Sequence, residues 1–195
     1  MKRSKRWVSL GVLIIVPLMA LVLSLSSAAS AQEARWEALN SQVIVLYKQG
    51  KYREAIPLAK ESLKVAEGTF GPDHPTVATS LNNLAELYRN QGKYAKAEPL
   101  HKRALAIREK ALGPDHPHVA TSLNNLAALY EALTVYSLAE PLYKRALEIL
   151  EKALRPDHPK ILTALENLAE LYIKMGRNNE AVPLLNRARK IRLSQ

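Results

Sequence analysis

Apolar residues recur at helical spacing along most of this chain. Between residues 76 and 90, Leu81, Leu84 and Leu87 are separated by three residues each, which is the spacing of a helix that buries one stripe of its surface. Glycine and proline interrupt the pattern at regular intervals, and residues 33–195 contain no alternating strand pattern. The pattern therefore predicts an all-α protein, with one helix over about 76–90 and another over about 95–112.

The helical pattern repeats with a constant period. The segment that begins at Gly71 returns at Gly113, and the segment around Leu123 returns around Leu165, so that both shifts are 42 residues. A fixed period between 20 and 50 residues is typical of repeat architectures. We therefore predict four units, each with a first helix A and a second helix B. Their approximate bounds are 33–70, 71–112, 113–154 and 155–195.

The second unit carries a recognisable set of residues. With Leu81 at a large apolar position of helix A, the set continues with Leu84, Ala85, Tyr88, Gly92, Tyr94, Ala97 and Ala104. This pattern resembles the tetratricopeptide repeat, in the 42-residue variety found in kinesin light chains and their bacterial relatives. The resemblance implies a right-handed superhelical solenoid of four helix-turn-helix units. It also implies that the A helices line a concave groove that holds a peptide or a partner helix.

The N-terminus predicts export. A basic head from Lys2 to Arg6 precedes an apolar run over residues 7–25, and Ala29-Ser30-Ala31 follows. This is the layout of a secretory signal peptide. We expect residues 1–31 to be removed by cleavage between Ala31 and Gln32, which leaves a repeat domain over 32–195 in a periplasmic or secreted protein. In the alternative, residues 7–25 are retained as an inner-membrane anchor, and the protein is a membrane-tethered scaffold.

Charge and composition narrow the possible partners. The net charge of +10 falls to +6 without residues 1–31, because that segment holds four basic and no acidic residues. Glu98 and Glu140 stand four residues before Lys102 and Lys144, a spacing that predicts ion pairs on a solvated helix surface. We therefore expect no nucleic-acid partner, and a membrane partner only if the signal segment is uncleaved.

Three Asp-His-Pro loops are the most conspicuous candidates for chemistry. They occupy residues 73–75, 115–117 and 157–159, but equivalent loops of a solenoid lie a full unit apart, too far for their histidines to share one metal ion. Each aspartate is better placed to cap a helix, with His74 as the alternative cap in unit two, and each proline is placed to begin one. The chain has no cysteine, no phosphate-binding glycine loop and no Ser-His-Asp arrangement. We therefore expect no enzyme activity, no metal and no cofactor.

The resemblance places the partner-binding residues on the A helices. An asparagine amide both donates and accepts, so a row of such amides can bind an extended backbone. The alternative for Asn83, Asn125 and Asn167 is a bond to the neighbouring helix. The predicted concave groove comprises Thr79, Asn82, Asn83, Glu86, Arg89 and Asn90 of unit two, Thr121, Asn124, Asn125, Ala128 and Glu131 of unit three, and Thr163, Glu166, Asn167, Glu170 and Lys174 of unit four.

Together these residues predict a non-catalytic scaffold or adaptor that binds a protein or peptide outside the cytoplasm. One partner class is disfavoured, because chaperone-binding relatives hold a C-terminal carboxylate with groove lysines and an arginine. The matching positions of this chain are Ser41, Val45, Asn83, Thr121 and Asn125, of which only Asn83 fits that clamp.

Two departures from the repeat carry structural expectations. Thr134 stands where the turn of unit two has Gly92, and a β-branched residue is costly in a left-handed conformation. We therefore expect either a changed turn or a longer helix A in unit three. Arg189 continues the series Leu63, Leu105 and Leu147, so the last helix is expected to face water there. Helix B of unit one is expected over 54–67.

Overall fold

The computed structural model describes residues 28–194, which form eight α-helices and no strand. The predicted anchor segment, 7–25, and most of the predicted signal peptide lie outside this range, whereas residues 28–31 begin the first helix. No helix within 28–194 is both long and apolar enough to cross a membrane. The helices are α1 (28–48), α2 (Tyr52–Phe70), α3 (Pro75–Asn90), α4 (Tyr94–Leu112), α5 (Pro117–Ala132), α6 (Tyr136–Ala153), α7 (Pro159–Lys174) and α8 (Asn178–Leu193).

Each helix packs on its neighbours in chain order. The second helix of a unit packs on the first, and it also packs on the first helix of the next unit. Small side chains permit this close approach, since Ala85, Ala97 and Ala104 are fully buried between the helices. The predicted all-α solenoid of four helix pairs is confirmed. Helix α2 is longer than the predicted 54–67, because the chain keeps helical hydrogen bonds up to Gly71, whose N–H bonds to the carbonyl of Glu67.

The Asp-His-Pro loops begin the A helices, but the histidine is the capping residue. Nδ1 of His74 accepts a hydrogen bond from the backbone N–H of Thr76, and the same bond recurs at His116 and His158. The prediction that each aspartate caps a helix is therefore wrong, and the alternative that His74 caps the helix of unit two is confirmed. The carboxylate of Asp73 instead pairs with Lys110, so the histidine ring satisfies the free N–H and the aspartate is left to the surface.

The turn of unit three keeps the geometry of the glycine turns. Thr134 has a φ of +59°, close to the +70° of Gly92, and its N–H bonds to the carbonyl of Glu131 as that of Gly92 bonds to Arg89. Helix α5 ends at Ala132. Both alternatives predicted for this turn, a changed geometry and a longer helix, are therefore wrong. The chain tolerates a strained threonine instead, at a cost of about 1–2 kcal/mol.

Ion pairs join successive units along the outer surface. Arg103 pairs with Glu67, Arg145 with Glu109, and Arg187 with Glu151, with N–O distances of 2.7, 2.7 and 2.5 Å. The predicted pairs Glu98–Lys102 and Glu140–Lys144 form within their helices, at 2.7 and 2.6 Å. Surface pairs of this kind contribute little stability each, so their main effect is to compensate the charges of these five basic residues.

Candidate functional site

The concave groove contains a cavity built by three A helices. It has a volume of about 290 Å³ and lies where α1, α3 and α5 meet. The lining side chains are Val43, Ile44, Tyr47, Lys48, Asn83, Glu86 and Asn125. Three predicted groove residues, Asn83, Glu86 and Asn125, are therefore brought to one place. The other four come from the most divergent unit of the repeat.

The groove asparagines differ in how much of their hydrogen-bonding capacity is used. The amide nitrogen of Asn83 donates to Oδ1 of Asn40 at 2.7 Å, so the neighbouring helix takes one of its groups and leaves its carbonyl oxygen free. Asn125 and Asn167 are half-buried and have no hydrogen-bond partner within residues 28–194. These two amides are therefore the groups in the groove best able to bind a peptide backbone.

Asn82 lies between units rather than in the groove. It is 3% exposed, its amide nitrogen donates to Oγ of Ser122 at 3.1 Å, and its Oδ1 lies 2.9 Å from Nδ1 of His101. The prediction that Asn82 lines the groove is therefore wrong. A partner could reach this amide only by breaking the contact between two units.

Asn124 occupies the equivalent position one unit later, but its surroundings differ. At the positions that correspond to Ser122 and His101, the chain has Ala164 and Tyr143. Alanine has no hydroxyl, and the Tyr143 hydroxyl donates instead to Glu131 at 2.8 Å. Oδ1 of Asn124 is consequently buried without a hydrogen-bond partner among the described residues.

The joint between units two and three also contains a buried arginine. Arg108 is 5% exposed, and its guanidinium donates to Ser122 at 2.9 Å, to Thr79 at 3.2 Å and to the carbonyl of His118 at 3.2 Å. No carboxylate pairs with it within residues 28–194. Burial therefore lowers its pKa to about 10, which leaves it protonated at neutral pH.

Glu86 is held in place from two sides. Arg89 donates to it at 2.7 Å, and Nε2 of the fully buried His101 lies 3.4 Å from its carboxylate. Burial raises the pKa of Glu86, but the contacts with His101 and Arg89 outweigh that effect and hold the pKa below its usual value. Glu86 is therefore an ionised and already compensated group at the edge of the cavity.

The groove of units three and four is occupied by its own ion pairs. Lys174 lies 2.6 Å from Glu131 and 2.7 Å from Glu170, and Glu131 also accepts the Tyr143 bond. These contacts raise the pKa of Lys174, chiefly through the hydrogen bond with Glu131. Among the other predicted groove residues, Glu166 pairs with Arg192, and Asn90 donates to the carbonyl of Glu86 at 2.8 Å.

The predicted groove threonines are engaged by their own helices. Thr79, Thr121 and Thr163 each donate to the carbonyl of the proline four residues earlier, at 3.3, 3.3 and 3.2 Å. A hydroxyl that donates within its own helix has only its lone pairs left for a partner. These three residues are therefore weaker candidates than the asparagines.

Sequence reasoning missed the contribution of unit one. The turn bonds of Gly50 match those of Gly92, so the 42-residue register holds and places Ile44, Tyr47 and Lys48 at the positions of Glu86, Arg89 and Asn90. Subtracting 42 from the groove positions of unit two would have identified them. The tyrosine of unit one hid the match, because Tyr47 is one residue closer to its glycine than Tyr88 is.

The side chains that line the cavity are mostly apolar and amide groups. Within residues 28–194, no three histidine, aspartate or glutamate side chains are grouped closely enough to hold a metal ion. The cavity thus combines an apolar floor, amide groups, one lysine ammonium and the paired carboxylate of Glu86.

Comparison with known proteins supports the repeat assignment. A family model for the tetratricopeptide repeat matches residues 37–110, 76–152 and 135–194. The fold is similar to a Podosopora anserina putative kinesin light chain with nearly identical TPR-like repeats, at a TM-score of 0.72 and 28% identity over 83% of this chain and 76% of that one.

Two further solved structures share the fold at lower identity. BtubC (BKLC) from P. vanneervenii gives a TM-score of 0.71 at 24% identity, and 82% of this chain covers 63% of that one. A Rap protein complexed with competence and sporulation factor gives 0.72 at 19% identity, and 80% of this chain covers 42% of that one. The chain thus spans less than two thirds of either protein, and these two likenesses concern the fold alone.

Proposed function

The chain belongs to the tetratricopeptide repeat family, and from that premise we propose that it is a non-catalytic scaffold that binds an extended peptide segment of a partner in its concave groove, outside the cytoplasm. Proteins with this repeat generally act as non-catalytic scaffolds for protein or peptide partners. To this general role we add that the partner binds in the concave groove and that the protein acts outside the cytoplasm.

The main support for peptide binding is the cavity between α1, α3 and α5. An extended peptide exposes backbone N–H and C=O groups at regular intervals, and the amides of Asn125 and Asn167 can satisfy either kind. Both amides lack a partner within residues 28–194, so a peptide would not have to displace an existing bond. The apolar floor of Val43 and Ile44 adds burial of a side chain to these polar contacts.

Action outside the cytoplasm rests on the N-terminal sequence. The basic head, the apolar run and the Ala29-Ser30-Ala31 end favour export followed by cleavage after Ala31. Mass spectrometry of the protein isolated from its native cells gives the mature N-terminus directly. An N-terminus at Gln32 supports the exported form, whereas intact residues 7–25 would replace it with the membrane-tethered scaffold.

Site-specific photo-cross-linking in cells tests the groove. A photoreactive amino acid is placed at Ile44, inside the cavity, and in a second strain at Ala106, which is exposed on α4 outside the groove. We expect a discrete adduct with one partner from position 44 and none from position 106. Equal adducts from both positions, or adducts from position 106 alone, would place the contact surface elsewhere on the solenoid.

A further inference from the structure

The cavity in the concave groove is apolar on the side formed by unit one. Ile44 is 41% exposed although it is a large apolar residue, and it lines the cavity beside Tyr47 and the buried Val43. In the later units, the positions of Ile44 and Tyr47 are held by Glu86 and Arg89, by Ala128 and Glu131, and by Glu170 and Ile173. Among the described A helices, unit one therefore has the only pair of large apolar side chains at these two groove positions.

The Ile44 and Tyr47 surface is well supported from behind. Tyr47 contacts Tyr52 of α2, with ring centroids 5.5 Å apart, and its hydroxyl accepts a bond from Asn90 of α3 at 3.4 Å. Val43 is part of the buried core beneath. Because the ring is held by contacts from two other helices, the surface is preorganised to receive an apolar side chain, which reduces the entropy cost of binding.

Of the two charged side chains that line the cavity, Glu86 and Lys48, only Lys48 lacks a partner of opposite charge among the described residues. Glu86 is neutralised by Arg89 at 2.7 Å, whereas Lys48 pairs with no carboxylate within residues 28–194. Lys48 lies one helical turn after Ile44, about 6 Å further along α1. An extended peptide covers about the same distance in two residues, and its side chains at positions i and i+2 point to the same side.

From this arrangement we infer that the cavity selects a peptide segment with an aliphatic side chain followed two residues later by aspartate or glutamate. The aliphatic side chain packs on Ile44 and Tyr47, the acidic side chain pairs with Lys48, and the backbone between them bonds to Asn83 and Asn125. The inference rests on the proposed function and adds the chemistry of the partner.

The carboxylate belongs to a side chain rather than to a chain terminus. A single lysine is a flexible point charge with no second cation beside it to form a clamp, since Arg89 is already paired with Glu86. The groove also continues beyond the cavity, where the amide of Asn167 has no partner within residues 28–194. A peptide that runs through the cavity can use that amide, whereas a peptide that ends there cannot.

Selection from a displayed random-peptide library tests this preference. The bait is the protein as isolated, without further truncation. It is used in four forms: wild type, Lys48→Glu, the matched control Lys60→Glu, and Asn125→Ala. Lys60 is exposed on α2 and does not line the cavity. One library displays the random segment internally and a second displays it with a free C-terminal carboxylate.

We expect wild type and Lys60→Glu to enrich the pattern aliphatic–any–acidic from the internal library. Lys48→Glu should lose the acidic preference and bind the enriched wild-type peptide about fivefold more weakly or worse, the upper range for one exposed ion pair. In the same peptide, alanine in place of the aliphatic residue should weaken binding about tenfold, because a buried aliphatic side chain is replaced by a methyl group.

The possible failures are distinguishable. Peptides that depend on Asn125 but lack the pattern, or that keep their acidic residue with Lys48→Glu, would overturn the inference and leave the proposed function standing. Enrichment from the free-terminus library alone would overturn the side-chain assignment. If no peptide that binds wild type is weakened by Asn125→Ala, both the inference and the proposed groove function fail.

Discussion

The amide nitrogen of Asn82 and the hydroxyl oxygen of Ser122 lie 3.1 Å apart across the joint between the second and third units. This contact fixes the place of the first asparagine in the Leu-Asn-Asn-Leu segment of unit two. The first asparagine of the pair, at position 82, joins units, and the second, at position 83, faces the groove. Adjacent residues of one helix thus lie in different surroundings, one in the joint between units and the other in the proposed binding groove.

Replacement of Asn82 should reduce stability. Asn82→Ala leaves buried groups of Ser122 and His101 without their partner, which costs about 1–3 kcal/mol. The measurement is the free energy of unfolding from urea titration. Asn125→Ala is the matched control, because Asn125 has no partner within residues 28–194, and its change should stay within about 0.5 kcal/mol. Equal losses in the two variants would contradict the separation of roles.

The strained turn offers a stabilising substitution. Thr134→Gly should raise the free energy of unfolding by about 1 kcal/mol, because glycine adopts the +59° φ of this position without steric cost. The urea midpoint should rise with an unchanged slope. Gly92→Thr, the reverse change at the equivalent turn, should lower the free energy of unfolding by a similar amount. A loss of stability in Thr134→Gly would show that the threonine side chain compensates for its strain.

The buried Arg108 should be replaceable by leucine. One unit later the equivalent residue is the buried Leu150, and a buried cation without a carboxylate partner is expensive to desolvate. Arg108→Leu should therefore leave the melting temperature unchanged or raise it. Leu150→Arg, the reciprocal change, should lower stability by at least about 3 kcal/mol, because it buries a charge in a joint where Ala164 stands in place of the accepting Ser122.

The free energy of unfolding should fall in acid, because the carboxylate of Glu140 becomes protonated. Its hydrogen bonds with Arg177 and Lys144 lower its pKa to about 2 from an ordinary value of 4.5. A carboxylate with a lowered folded-state pKa stabilises the fold above its unfolded pKa, and that stability is lost as pH falls from about 4.5 towards 2.

Urea titrations at several pH values measure this dependence. Glu140→Gln should lower stability at pH 7 by about 1 kcal/mol, since solvent screens part of the pair, and should flatten the pH dependence between pH 5 and 2. Glu148→Gln, which removes the exposed pair with Lys152, is the control. It should have a smaller effect on the stability at pH 7 and on the pH dependence. An unchanged acid slope in Glu140→Gln would contradict the assignment.

The helices and their order could be predicted because local signals agree with the packing. Apolar spacing, loop prolines and turn glycines point to the same eight helices, and the period fixes which helices pair. The fate of Thr134 could not be predicted in this way. The free energy of packing in the surrounding units outweighs the local strain of one residue, and that balance is not visible in a single turn.

The proposed binding surface was only partly predictable, because it depends on pairs of residues in different units. Asn82 and Asn124 occupy equivalent positions, yet the first is satisfied by Ser122 and His101 and the second faces Ala164 and Tyr143. The sequence shows each residue, but which partners face it becomes clear only when the units are stacked. The 42-residue period is sufficient to identify the groove residues of unit one. The alignment of unit one is difficult to recognise, because Tyr47 is one residue closer to its glycine than Tyr88 is.

Partner capture by two matched double variants tests the central claim most directly. The groove variant carries Asn125→Ala and Asn167→Ala. The control carries the same chemical change at Asn178 and Asn179, which are exposed at the start of α8. Each protein is cross-linked in cells, and the amount of the partner identified from position 44 is quantified. We predict that the groove variant loses most of this partner while the control retains it. Equal capture by the two variants would contradict binding through the concave groove.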